Sequence, residues 1–85
     1  MTEEQWVLWS KHVEDYRQHR AEYRHLLRLN EDQLSLLRPQ RKVSKAIAHL
    51  ENQNSALHTL IAECDAVLVA DAELQRLVSA EAVPA

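Results

Sequence analysis

The sequence contains no glycine in 85 residues. Glycine is the usual residue of left-handed turns, phosphate-binding loops and tight strand hairpins, so a chain without it has few ways to reverse direction. The sequence is rich in Leu, Ala, Glu, Gln and Arg, which are good helix formers. Its two prolines are Pro39, near the middle, and Pro84, near the end. We therefore predict an all-α chain of long helices.

The first half of the chain carries an unbroken heptad pattern. Thr2 and Gln5 have the spacing of a capping box, and the two glutamates between them suit the positive end of a helix. Steps of three and four residues then follow one helix face. The positions on that face are Trp6, Trp9, Val13, Tyr16, Arg20, Tyr23, Leu27, Asn30, Leu34 and Leu37. The pattern predicts one helix over about residues 3–38, although Asn30 with Gln33 could instead cap a separate helix and introduce a kink.

Proline disfavours helix at the residue before it, so Pro39 predicts a turn over about residues 39–42. A second heptad pattern predicts a helix over about 43–78. Its positions are Val43, Ile47, Leu50, Asn54, Leu57, Ile61, Cys64, Leu68, Asp71, Gln75 and Val78. Residues 80–85 are predicted to form a flexible tail. Residues 1–79 are thus predicted to form a single domain, a long antiparallel two-helix hairpin that is coiled-coil-like.

A turn near residue 40 predicts the register of the hairpin, because residues whose numbers add to roughly 81 then lie opposite one another. Tyr23 is placed opposite Leu57, so a large side chain meets an aliphatic one. Arg17 is placed opposite Asp65. The stem of Arg20 lies on the seam, and its guanidinium is expected to reach toward Asp65 or solvent.

Two tryptophans, Trp6 and Trp9, lie near the free ends of the predicted hairpin. The register places them over Ala72 and Gln75, where the second helix offers little apolar surface. Packing within the hairpin is one explanation of this pair. The other is that a partner protein completes their burial.

Asn54 interrupts the second seam with a polar side chain. It either rotates to solvent or fixes register and partner choice at a cost in stability. For Asn30, on the first seam, we favour rotation to solvent or a kink.

A second apolar row runs beside the seam of the second helix, where Leu60, Val67 and Leu74 recur every seven residues. Such a widened stripe is more than one neighbouring helix can cover. The row predicts association with a helical protein or with a second copy, the latter as a homodimeric bundle. The predicted partner-binding residues are Trp6, Trp9, Leu60, Val67 and Leu74.

The sequence predicts no enzyme, cofactor or metal site. His12 and His19 share a helix face but are two turns apart, whereas two histidines that bind one metal ion on a helix lie one turn apart. Glu22 with His25 is a single Glu-x-x-His, whereas helical di-metal sites need two such motifs. Cys64 is the only cysteine and is expected to be a small buried core residue.

Nucleic-acid binding is the alternative prediction. Arg17, Arg20, Arg24 and Arg28 form a basic stripe that could contact phosphates, in a first half (residues 1–45) of net charge +2. In outline the chain is similar to the helical-hairpin dimers of plasmid copy control, which bind RNA. Against this prediction, the remaining residues carry a net charge of −5 and the whole chain −3.

The favoured prediction is a non-enzymatic interaction module of the adaptor, inhibitor or co-chaperone kind. Its length, helicity and mid-chain turn are similar to those of the co-chaperones of type III secretion needle subunits and of small helical phage proteins. No shared motif supports a family assignment. Because neither an apolar leader nor a broad membrane-binding face is evident, we expect a cytoplasmic protein without a membrane role.

Overall fold

The computed structural model describes residues 2–40 and 42–82, which form two long helices. Helix α1 spans Glu3–Leu37 and helix α2 spans Ser44–Ala82, with 35 and 39 residues respectively. The helices pack against each other as an antiparallel hairpin, which confirms the predicted fold class. Helix α1 is unbroken at Asn30, so no separate helix begins there.

The two ends of α1 follow from its flanking residues. The Thr2 hydroxyl accepts a hydrogen bond from the Gln5 amide at 3.2 Å, and the Gln5 side chain accepts one from the Thr2 amide at 2.8 Å, which confirms the capping box. At the other end, the Gln40 amide donates to the Leu37 carbonyl at 2.8 Å. No described residue has a positive φ angle, the conformation that most often requires glycine.

Helix α2 is longer at its carboxyl end than the heptad pattern predicts. It continues to Ala82, so residues 80–82 of the predicted tail are helical. Ala and Glu favour helix, and no proline intervenes before Pro84. Met1, Arg41 and residues 83–85 lie outside the described residues, and residues 83–85 are the remainder of the predicted tail.

The core of the hairpin is one narrow seam. Among the described residues, the buried apolar side chains are Val13, Leu34, Leu57 and Cys64. All four occupy the predicted heptad positions. Most other seam residues are only half-buried, because each helix has a single neighbour. The hairpin therefore has far less interior than a compact domain of the same length.

The dimensions of the molecule also show that little of it is buried. The hairpin measures 67 × 23 × 14 Å and has a Cα radius of gyration of 19.2 Å, against about 12 Å for a compact domain of this length. Its accessible surface is 6808 Å², whereas a compact monomer of this mass exposes about 5,200 Å². About 1,600 Å² of surface is thus in excess.

A hydrogen bond between the helices closes the free end of the seam. The indole Nε1 of Trp9 donates to Oδ1 of Asp71 at 2.8 Å, and the Asp71 side chain is buried with only 9% of the residue exposed. The Gln75 amide lies 3.5 Å from the same oxygen, and the Arg17 guanidinium lies 3.9 Å from Oδ2. Trp9 therefore packs within the hairpin.

Arg20 donates to Asp65, which is one of the two positions predicted for its guanidinium. Arg17 is shifted from the predicted register, because it contacts Asp71 and Glu14, so the predicted Arg17–Asp65 pairing is wrong. Side chains lean toward the amino terminus of their own helix. In an antiparallel pair this lean moves the α1 partner toward higher residue numbers, which is the shift observed.

Replacing Trp9 with Phe removes the indole donor while keeping an aromatic ring. We expect Trp9→Phe to lower the free energy of unfolding by about 1.5–3 kcal/mol, because the buried Asp71 carboxylate loses its closest donor. Urea unfolding followed by circular dichroism measures the change. Trp6→Phe, one turn earlier on the seam, is the matched control. An equal loss in the two variants would contradict a specific role for the Trp9–Asp71 bond.

Candidate protein-binding site

The hairpin has two long flanks, one on each side of the seam, and their chemistry differs. Heptad positions on corresponding sides of the two helices meet in an antiparallel pair. The charged flank comprises Arg17, Arg20, Arg24, Arg28, Glu31 and Arg38 of α1 with Glu51, His58 and Asp65 of α2. The apolar flank comprises Leu8, Leu26 and Leu29 of α1 with Ala56, Leu60, Val67, Ala70, Leu74 and Leu77 of α2.

The apolar flank holds most of the exposed leucine surface. Leu8 is 61% exposed, and Leu26 and Leu29 are each 47% exposed. Leu60 is 36% exposed, while Val67 and Leu74 are half-buried beside the seam. A shallow groove lined by Leu26, Asn30, Gln53, Ala56 and Leu57 runs between the helices on this side. The predicted row of three aliphatic residues thus lies on a flank to which both helices contribute apolar residues. On α1, His12, Asp15, His19 and Glu22 lie between Leu8 and Leu26 on this side.

The predicted partner-binding tryptophans lie elsewhere. Trp6 and Trp9 occupy the seam between the helices and are half-buried there. The Trp9 indole is already hydrogen-bonded to Asp71. The structure therefore does not place the two rings with Leu60 and Val67 on the flank, and only Leu74 comes from the same end of the hairpin.

The four predicted nucleic-acid contacts lie along the charged flank. Arg20 pairs with Asp65, and Arg17 lies between Glu14 and Asp71. Arg24 and Arg28 line one groove with Arg20, and Glu31, His58 and Asp65 also line it. At the turn end, Arg38 lies 3.9 Å from Glu51. Carboxylates of the same chain therefore compete with phosphate for part of this basic surface.

The two seam asparagines have different environments. Asn30 donates from Nδ2 to Oε1 of Gln53 at 3.1 Å and is half-buried. Asn54 is buried, and its Oδ1 has no hydrogen-bond partner among the described residues. Of the two interpretations that the sequence left open, rotation to solvent is therefore wrong for Asn54. A buried acceptor without a partner lowers the stability of the hairpin, which is the cost expected of a polar residue that fixes register.

Replacing Asn54 with Leu removes the buried acceptor at nearly constant volume. We expect Asn54→Leu to raise the free energy of unfolding by about 1–2 kcal/mol, since no hydrogen bond of Oδ1 is lost. Asn30→Leu is the matched control because Asn30 has a partner, and its gain should be smaller. Urea titration of both variants measures the difference. A destabilised Asn54→Leu hairpin would contradict the assignment of Oδ1 as unsatisfied.

Cys64 is a packing residue of the seam, with 2% of its surface exposed. Burial raises the pKa of its thiol, and the nearby carboxylates of Asp65 and Glu63 raise that pKa further. A thiol held in its protonated form is a poor nucleophile and a poor metal ligand. The described residues contain no cluster of three or more His, Cys, Asp or Glu side chains placed to hold a metal ion.

Comparison with known proteins finds no similarity from which a role could be transferred. No protein-family model matches the chain, and no curated protein or solved structure is significantly similar to it. Within the described residues, neither helix has a stretch long and apolar enough to cross a bilayer. The flanks themselves are therefore the basis for a functional proposal.

Proposed function

We propose that this protein is a non-enzymatic interaction module of the adaptor, inhibitor or co-chaperone kind. It buries its apolar flank against a helical partner protein or a second copy. The observation that carries the proposal is the exposure of Leu8, Leu26 and Leu29 on a hairpin whose described residues include four buried apolar side chains. A helical bundle is the arrangement that covers such a surface.

Energetics support the proposal. Fixing the backbone costs about 1–2 kcal/mol per residue, and long helices are stabilised mainly by packing of their apolar faces. One seam packs only one face of each helix. Covering an exposed leucine contributes up to about 1.5–3 kcal/mol, so association stabilises the partner contact and the hairpin together.

The geometry favours a helix as the bound element. The apolar flank runs along a hairpin that is 67 Å in length. On α2 its residues, at positions 56, 60, 67, 70, 74 and 77, follow one another at spacings of three, four or seven. A partner helix with apolar residues at the same spacing interdigitates with such a surface, as in helix-in-groove recognition.

Introducing a charge at Val67 tests the apolar flank. A photo-reactive amino acid replacing Leu60, in cells that produce the protein naturally, should cross-link to a protein, either another chain or a second copy. We expect Val67→Asp to abolish this adduct, because a carboxylate would be buried without a partner. Val69→Asp is the matched control, since Val69 is 69% exposed and lies off the flank.

Circular dichroism of both variants shows whether the helices are retained. Absence of any protein adduct from position 60, or equal loss in the two variants, would contradict a binding role for the apolar flank. The identity of the adduct separates a second copy from another protein.

Nucleic-acid binding on the charged flank is the second proposal, supported by the groove that Arg20, Arg24 and Arg28 share with His58. The carboxylates in the same groove and the net charge of −3 make it the weaker one. Reversal of Arg24 and Arg28 to Glu should abolish any gel shift of RNA or DNA at low salt. A wild-type protein that shifts neither nucleic acid at low salt would eliminate this proposal.

A further inference from the structure

The side of α1 that faces the apolar flank can pair with the same side of α1 from a second copy running in the opposite direction. Along this side of α1, within residues 3–31, the exposed residues are Gln5, Leu8, His12, Asp15, His19, Glu22, Leu26 and Leu29. Reversal about residue 17 places Leu8 of one copy beside Leu26 of another. It places His12 beside Glu22. It also places Asp15 beside His19 and Leu29 beside Gln5. One pair of leucines therefore meets, and each carboxylate meets an imidazole.

The same side of α2 can also pair with an antiparallel α2 from a second copy, and here the match is in side-chain size. Reversal about residue 65 places Leu60 of one copy beside Ala70 of another. It places Leu74 beside Ala56. In these two pairs a large side chain meets a small one, which lets two helices interdigitate closely. The same reversal places Val67 beside the stem of Glu63 and Leu77 beside Gln53.

The residues about which the two pairings are symmetric, residue 17 of α1 and residue 65 of α2, lie at the same level along the long axis of the hairpin. The Trp9–Asp71 and Asn30–Gln53 hydrogen bonds fix the register, and the numbers of these bonded pairs add to 80 and 83. In that register, residue 17 of α1 is level with residues 63–66 of α2. One twofold axis therefore relates both flanks at once, as an isologous dimer requires.

The available area fits such a dimer. A twofold axis at residue 17 overlaps residues 3–31 of α1 between two copies, about 43 Å of helix length. With a hairpin width of 23 Å, the shared footprint is about 1,000 Å² per copy, and a standard interface buries about 800 Å² per partner. Leu36, near the turn, falls outside the overlap.

We infer that the occupant of the apolar flank is a second copy of this chain, bound antiparallel to form a four-helix bundle. Helix α1 packs on α1 of the second copy and α2 packs on its counterpart, with the two turns at opposite ends. The inference rests on the proposed function and names its partner. The palindromic placement of Leu8 and Leu26 and of Leu60 and Ala70 carries it.

Disulfide trapping tests the predicted orientation in the full chain with Cys64→Ala, which removes the native thiol. The variant with Leu8→Cys and Leu26→Cys together should form a covalent dimer under a mild oxidant. Neither single variant should, because two copies of residue 8, or of residue 26, lie about 27 Å apart along the bundle. Efficient cross-linking of a single-cysteine variant would overturn the antiparallel arrangement.

Solution mass tests the association itself. Light scattering over a dilution series should give a dimer for the wild type and for Leu36→Asp, and a monomer for Leu26→Asp. Leu36 is the matched control because it is 69% exposed and lies outside the overlap. If Leu26→Asp loses its helix signal, Leu26→Ala is used in its place. We then expect the dissociation constant of the dimer to rise at least tenfold.

A wild-type protein that stays monomeric at all concentrations would overturn the second-copy inference. The proposed function would survive that result if the photo-reactive group at position 60 still cross-links to a different protein in a Val67-dependent manner. A dimer that cross-links only as predicted, with no other adduct, supports the inference. Loss of every adduct together with a monomeric mass would overturn both.

Discussion

The contact between α1 and α2 along a single seam is the interaction on which the rest of the hairpin depends. Each helix has one neighbour, so only a narrow stripe of each is removed from water, and the buried apolar residues Val13, Leu34, Leu57 and Cys64 all lie there. The seam also contains buried polar groups. Asp71 is satisfied by Trp9, whereas Asn54 has an acceptor without a partner among the described residues. Everything outside this stripe is available for other contacts.

The fold could be predicted from the sequence because its signals are strong and local. A heptad pattern without a phase change predicts a continuous helix, and Pro39 marks the reversal. The partner of Arg17 could not be predicted to the residue, since it depends on how far that side chain leans along its helix. The apolar heptad pattern ends near residue 78, where the sequence predicts the end of α2. The following residues still favour helix, so α2 continues to Ala82.

The candidate site was only partly accessible to sequence analysis. The spacing of Leu60 and Val67 indicates an apolar row, but whether α1 extends that row depends on which sides of the helices meet. That pairing follows from the register and topology, which place Leu26 beside Ala56. The role of Trp9 was open for a related reason: spacing places an indole near Asp71 but does not say that its N–H is bonded there.

The hairpin connects its helices at one end only, and this has a consequence for the order in which it folds. Contacts next to the turn join residues that are close in sequence, whereas the Trp9–Asp71 bond closes a separation of 62 residues. The entropic cost of loop closure grows with that separation, so the helices should zip from the turn outward. The indoles of Trp6 and Trp9, near the free ends, then become ordered last, and their fluorescence is a native reporter of the final step of folding.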